Sequence, residues 1–379
     1  VIGFYGLLLV LHVYVGLRLI PDLPGGLPAQ AALFLWLAAS AIVMPYTFGA
    51  RRARASARTD RLAWAGGLAM GMFSTLFVLT FLRDFVLVVG AVLGALSPAL
   101  ALHRDFRAAS ALAIPLLALL FAAVAVPGAR KRAAVKQVDI PITGLPDALH
   151  GFTIAQITDI HVGPTIKRGY VDAIVDAVNE LRADMVAVTG DMVDGSVPDL
   201  ARHTAPLGRL SSRHGSYFVT GNHEYYSGAD AWVKEMQRIG MRTLMNEHVV
   251  LDHEGESVVV AGVTDYGAGQ FDKRHASDPG RAIHGAPGAA GVRLLLAHQP
   301  RSAFAARDAG FDLQLSGHTH GGQFLPWNFL VRLQQPFTAG LARLGKLWVY
   351  TSRGAGYWGP PMRLFAPSEI TRLRLVRAT

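Results

Sequence analysis

Five short clusters of Asp, Asn and His, each closing a run of β-branched and apolar residues, constrain this chain more than any other feature. They are Asp159-Ile160-His161, Gly190-Asp191-Met192-Val193-Asp194, Gly221-Asn222-His223-Glu224, His298, and Gly317-His318-Thr319-His320. Parallel strands that end on such side chains bring residues far apart in sequence to one edge of a sheet. An edge of this kind can hold two metal ions. A lone Asp-x-His or Gly-Asn pair is usually a turn or a solvated surface. Five in series within the last two thirds of the chain do not fit that reading.

The first third follows a different pattern. Val1 to Leu17, Ala29 to Phe48, Leu62 to Leu82 and Ala111 to Val126 carry no Asp, Glu, Lys or Arg. Each meets or approaches the roughly 20 apolar residues that cross a bilayer core as a helix. A fifth run, Phe85 to Leu102, is separated from the third only by Arg83-Asp84. Two residues are too few for a hairpin at a membrane surface, so the run reads as the continuation of one long or broken helix in which Arg83 and Asp84 pair. A mean hydropathy of +0.31 over 379 residues is likewise too apolar for an ordinary soluble enzyme. The expectation is a bundle of about four transmembrane helices over residues 1–132 and a catalytic domain over 133–379. The chain begins with Val1 rather than Met, which leaves open a missing leader.

Charge divides the same way. Residues 1–132 hold 12 Lys and Arg against 4 Asp and Glu, whereas residues 133–379 hold 24 against 23. The basicity belongs to the membrane part, and the near-neutral remainder argues against nucleic acid as a partner. Arg51, Arg52, Arg54, Arg58 and Arg61 form the strongest positive-inside signal, followed by Arg130-Lys131-Arg132 with Lys136. An even number of spans between them makes the catalytic domain cytoplasmic in a multi-pass cell-membrane protein; five spans would reverse it. No span carries an ordered set of ionisable groups, so the bundle reads as an anchor. His12, alone in the first span, reads as a packed residue.

Residues 133–150, with Pro141, Gly144 and Pro146, read as a linker. Beyond them the periodicity predicts strands at Phe152–Thr158, Met185–Thr189, Tyr217–Thr220, His248–Leu251, Ser257–Ala261, Val292–Ala297, Leu313–Leu315, Leu347–Thr351 and Ile370–Val376. Helices are predicted at Tyr170–Leu181 and Ala231–Ile239. The chain has no cysteine, so metal binding must use His, Asp, Glu and Asn.

On these motifs, and on Gly317-His318-Thr319-His320-Gly321-Gly322-Gln323 in particular, the chain resembles the calcineurin-like metallophosphoesterases and within them a bacterial membrane-attached branch. The resemblance covers roughly residues 138–377 and implies a four-layered α/β/β/α sandwich. It also implies two divalent metal ions, drawn from manganese, iron, zinc or cobalt. Asp159, His161 and His320 would hold the first, Asn222, His298 and His318 the second, and Asp191 would bridge them. The neutral Asn222 keeps the ligand charge low and the centre Lewis acidic. His223 would be the general acid or leaving-group stabiliser, and Asp194 would orient a ligand histidine. Glu224, where Asp is more frequent, lies outside the metal shell.

Other residues carry weaker signals. Arg353 in Ser352-Arg353-Gly354 could reach a substrate phosphate, although such a loop is more often structural. Phe324 to Val331 is either a strand with a core-packing loop or an apolar, membrane-dipping wall beside the metals. His150, His203, His214, His248, His253, His275 and His284 read as surface or loop residues. The implied reaction is in-line hydrolysis of a phosphodiester or pyrophosphate. Since some members of the membrane branch are associated with cleavage of UDP-2,3-diacylglucosamine, a lipid-linked substrate at the bilayer is the leading expectation. Its rivals are a broad phosphodiesterase on soluble nucleotides and a non-catalytic membrane receptor or assembly protein.

Overall fold

The computed structural model describes residues 2–49, 56–103 and 105–378. Val1, Arg51, Arg52 and Arg54, used above for the first span and for orientation, lie outside them. The chain forms two compact units, one of Val1–Pro127 together with Gly359–Met362, the other of Gly128–Trp358 and Arg363–Thr379.

In the helical unit, α1 (Ile2–Leu19), α2 (Gly26–Val43), the single turn α3 (Tyr46–Gly49), α4 (Ala57–Leu96) and α5 (Asp105–Arg130) follow one another. Four helical stretches among the described residues are long and apolar enough to cross a membrane. Leu8, Val15, Leu37, Phe73, Leu76 and Ile114 pack between helices, while other large apolar side chains face outward, as lipid-facing helices require. The fifth apolar run is no separate span. It continues α4 without a break to Leu96, giving 40 residues, then turns at Pro98–Leu100 and folds back. Gly90 and Gly94 admit this return, since a Cβ would meet Leu102 at 2.2 Å and Ala101 at 3.0 Å.

Arg83 and Asp84 do not chiefly pair with each other; their charged atoms come no closer than 4.0 Å. Arg83 instead donates to Asp22 Oδ2 at 2.5 Å, the Arg18 and Arg107 carbonyls and Ser110, while Asp84 accepts from Tyr14 and Arg18. Adjacent helical residues point about 100° apart, so each charge finds partners on a different neighbouring helix or turn. His12 is packed as expected, stacked on Phe73 with its Nε2 at 3.2 Å from Ser40 Oγ.

The second unit contains two six-stranded sheets. One runs in the order β1 (Ala134–Ile142), β12 (Glu369–Arg377), β2 (Thr153–Ile157), β3 (Met185–Val188), β4 (Ser216–Phe218) and β5 (Arg242–Thr243). The other runs β10 (Gly340–Leu344), β11 (Leu347–Thr351), β9 (Leu313–Ser316), β8 (Val292–Leu296), β7 (Glu256–Gly262) and β6 (Glu247–His253). Alternation sets the layers. Ile154, Met185, Ala187, Leu294 and Leu296 face the opposite sheet. Ala155, Val186 and Val188 meet α6 (Arg168–Glu180), α7 (Val197–Thr204) and α9 (Ala229–Arg238). On the far side Leu295 and Ala297 meet α10 (Pro279–Ile283) and α11 (Ala303–Asp308). The result is the α/β/β/α sandwich.

Residues 134–142 are not a linker. They form β1, parallel to β12 from Ala134↔Glu369 to Ile142↔Arg377. Pro141 argues against a strand in the sequence, but β1 is an edge strand with a partner on one side only, where a missing N–H is tolerated. His253 also departs from its expected surface position. It is buried in β6 against Phe152 and sits 3.0 Å from His214 rather than at the surface. His248 also lies in β6, its Nδ1 2.8 Å from the Ala282 carbonyl.

The Arg83 cluster generates a stability prediction. Its side chain is 2% exposed, so Arg83→Leu leaves the Asp22 carboxylate with only the longer contact to Arg107, at 3.4 Å, and should lower unfolding free energy in detergent by about 3 kcal/mol. Removing the under-compensated charge too, in Arg83→Leu/Asp22→Leu, should restore most of the loss; a double variant as unstable as the single one would contradict this account.

Candidate metal centre

Every sequence-predicted ligand lies just beyond the C-terminal end of a parallel strand. Asp159 and His161 follow β2, Asp191 follows β3, and Asn222 opens the short α8 (Asn222–Ser227) after β4. His298 follows β8, and His318 and His320 follow β9. The loops are laced to one another by their backbones: Asp159 N–H donates to Gly190 O, His161 N–H to Asp191 O, and Gly317 N–H to His298 O. Five of the seven predicted ligands, Asp159, His161, Asp191, His318 and His320, have left-handed backbones with φ between 50° and 70°. Such conformations cost non-glycine residues free energy and persist only where surroundings enforce them. Here they turn side chains back over the strand ends. Gly221 and Gly317 let the loops close in, because a Cβ at either would lie 2.2 Å from a carboxylate oxygen, of Asp191 and Asp159 respectively.

Among the described residues three groups could hold a cation; one is His161, Asp194 and His223, and the other two match the predicted shells. Asp159, His161 and His320 bring one donor atom each within 4.8 Å of the others, and Asp191, His298 and His318 do the same. In the first, His161 Nε2 is 3.1 Å from His320 Nε2 and 3.9 Å from Asp159 Oδ1, and His320 Nε2 is 3.5 Å from Asp159 Oδ1. In the second, His298 Nε2 is 3.1 Å from Asp191 Oδ2 and 3.3 Å from His318 Nδ1. Asp191 Oδ2 also lies 3.9 Å from His161 Nε2, so its carboxylate stands between the groups. Donors about 2.1 Å from one ion lie about 3.0 to 3.4 Å apart, which the tighter of these separations match. A further observation favours cations. Asn222 Oδ1 is buried without a hydrogen-bond partner, a costly state for an amide oxygen that a divalent ion would relieve.

Surrounding groups orient the imidazoles. His298 Nδ1 is 2.8 Å from the Thr189 carbonyl, which directs Nε2 toward Asp191. Asp194 contacts His161 Nδ1 at 3.4 Å but binds His223 Nδ1 more closely, so its main partner is the expected acid rather than a ligand histidine. His223 Nε2 then faces the centre, 3.9 Å from Asp191 Oδ2. Glu224, outside both groups as expected, accepts from the backbone N–H of Gly221, Asp191 and Met192 and pins two ligand loops together.

Sequence reasoning missed Arg363. Its buried guanidinium donates to the carbonyls of Gly356, Ala366 and Arg353 and to His320 Nδ1 at 2.9 Å. Nothing around Pro361-Met362-Arg363-Leu364 marks it in the sequence. Arg353, in contrast, is held at 3.2 Å by Glu369, which favours its structural reading.

Burial works against ionisation of Asp191, yet the charges of His298 and His223 outweigh it and hold the carboxyl well below the usual range. Burial pushes Asp159 up, opposed by His298 and reinforced by Asp191. For His298 burial acts downward, but the carboxylates of Asp191 and Asp159 raise it well above an ordinary imidazole. His318 is pushed down to about 3 by burial and by His298, and His320 is lowered by burial, His161 and Arg363. A guanidinium can only donate, so Nδ1 of His320 accepts and the ring proton lies on Nε2.

His298 thus carries a proton on the nitrogen that faces the centre, and a cation bound there must displace it, whereas the neutral His320 ring needs only a tautomer exchange to offer Nε2. Metal loading of the metal-free protein should therefore release protons, and affinity should rise with pH by about tenfold per unit for each proton displaced, until the folded-state range of His298 is passed. Calorimetric titrations in buffers of different ionisation enthalpy would measure this; a pH-independent affinity with no proton release would contradict it.

Comparison with known proteins agrees with this geometry. The sequence profile described as calcineurin-like phosphoesterase matches residues 152–322. A transmembrane protein with metallophosphoesterase domain from Danio rerio is 36% identical over 325 residues, covering 82% of this chain and 74% of that one. An uncharacterized metallophosphoesterase of Campylobacter jejuni is 36% identical over 322 residues, covering 82% of each. A solved dimetal phosphatase from Danio rerio is far more distant, with a TM-score of 0.38 at 13% identity over 61% of this chain and 100% of that one. The chain belongs to the calcineurin-like phosphoesterase family and is a membrane protein whose second unit is a metal-dependent phosphoesterase.

Proposed function

We propose that this phosphoesterase hydrolyses a phosphodiester or pyrophosphate of a lipid-linked substrate, with UDP-2,3-diacylglucosamine the leading candidate. The observation that carries the chemistry is the Asp191 carboxylate standing between two ligand groups. Asp159, His161 and His320 would hold one divalent ion and Asn222, His298 and His318 the other. When bound, the pair supplies Lewis acidity toward phosphoryl oxygens. His223 would transfer the proton. Asp194 accepts from its Nδ1, so Nε2 can give a proton to the leaving oxygen. The rings of Tyr226 and Trp358 lie 5.2 and 5.9 Å from the His223 ring and offer apolar faces to a leaving group there.

Two features support the lipid-linked class over soluble nucleotides. The same chain carries four membrane-competent helices, and exposed aromatic residues occur near the ligand loops. A cytoplasmic active site, the orientation in which an even number of spans separates the two basic segments, would suit a nucleotide-bearing lipid. Against the receptor reading, six of the seven predicted ligands fall in the two groups, and the seventh, Asn222, has a buried oxygen without a partner.

Two measurements separate the layers of this proposal. On a soluble aryl phosphodiester with added divalent metal, Asp191→Asn should lower turnover by about 10²-fold or more; an unchanged rate would remove metal catalysis from this site. In detergent, kcat/KM for a diacylated nucleotide-sugar should exceed that for the same head group without acyl chains. Equal values would overturn the lipid-linked class alone.

A further inference from the structure

The segment after the last ligand motif folds neither as a strand nor as a core loop. Phe324 is buried, followed by α12 (Trp327–Leu330) and one tight turn, Val331–Leu333; neither helical piece has a buried residue. Trp327, Phe329, Leu330 and Leu333 are exposed by 42, 60, 46 and 85%. A run of such residues in water is unfavourable unless something apolar receives it.

Both ends of the segment are fastened to ligand loops. At the start, a Cβ on Gly322 would lie 2.1 Å from Asn328 Cα, so α12 sits directly on the turn that follows His320. Gln323 exchanges two hydrogen bonds with the Trp358 backbone, at 3.0 and 3.1 Å. At the end, buried Gln335 donates to Gln299, the residue after His298, and accepts from the Arg301 N–H. The apolar crest between these anchors is thus held in place rather than loose.

We propose that this crest, Trp327 to Leu333, inserts into the anionic interfacial layer of the bilayer that holds the chain's own helices. The composition fits that occupant. Aromatic and aliphatic side chains project together with one cation, Arg332, and residues 324–338 contain no acidic group, the balance expected of an interfacial helix on anionic lipid. Only Lys131 to Ala133 separate α5 from β1, so the unit that carries the crest is tethered by a few residues to a membrane-competent helix. Insertion would set the ligand loops at the depth where a lipid head group lies.

The absence of cysteine makes the test direct. Single substitutions Phe329→Cys and Leu333→Cys in the full chain, spin-labelled and reconstituted into phosphatidylglycerol/phosphatidylethanolamine vesicles, should collide freely with oxygen and poorly with a water-soluble nickel chelate. A label at Glu254→Cys, exposed on the turn between β6 and β7, should show the opposite. An unchanged circular-dichroism spectrum and melting temperature verify that each variant folds. Nickel access at positions 329 and 333 equal to that at 254 would overturn the proposal. So would dipolar broadening between labels, which would place a second copy of the chain on the crest. Neither readout involves a lipid substrate, so failure here leaves the proposed reaction standing, and the reverse also holds.

Discussion

Buried carboxylates in a nearly closed apolar shell are the constraint on which the second unit depends. Asp159, Asp191 and Asp194 lie beside five imidazoles, those of His161, His223, His298, His318 and His320, with little or no access to water. Anions so placed are tolerated only if paired. In the protein alone the compensation comes from protons, most clearly the one His298 keeps against its burial. Divalent cations would do the same with greater charge and fixed geometry, and the unpartnered Asn222 oxygen would gain a partner with them. Left-handed backbone at five ligand positions and the bare Cα atoms of Gly221 and Gly317 are the local cost of gathering these groups.

Strand direction is what makes the gathering possible. β2, β3 and β4 run parallel in one sheet and β7, β8 and β9 in the other. Their C-terminal ends share an edge, so ligand loops from both sheets meet across the sandwich. Gln156 ties the two sheets beneath the site by donating to Thr189 Oγ1 in its own sheet's edge and to the Ser316 carbonyl in the other. Glu224 does the same for the loops of Asp191 and Asn222, and burial with the Asp191 charge raises its carboxyl to about 7. The motif Gly221-Asn222-His223-Glu224 therefore combines three roles in consecutive residues: a candidate ligand, a candidate proton donor and a backbone clamp.

Much of this was legible because it is encoded locally. Strands such as Met185–Val188 are unbroken apolar runs, and each ligand motif follows a strand-like run, so both the element and its chemistry could be read from adjacent residues. What escaped depends on contacts remote in sequence. β1 is recognisable only from its pairing with β12, more than 200 residues away, which makes Pro141 harmless. Arg363 acquires its place from carbonyls at positions 353, 356 and 366 and from His320. Arg83 and Asp84, adjacent in sequence, suggested a pair with each other, whereas the helix sends them to different partners. The helical return at Pro98–Leu100 likewise depends on Gly90 and Gly94 meeting Leu102 and Ala101.

Anomalous X-ray scattering from crystals grown with manganese tests the central claim most directly, that these distant side chains enclose a pair of cations. The account predicts two peaks about 3.5 to 4 Å apart, one among Asp159, His161 and His320, the other among Asn222, His298 and His318, with Asp191 between them. A folded, manganese-saturated protein with no peak in either group, or with its metal bound elsewhere, would contradict it.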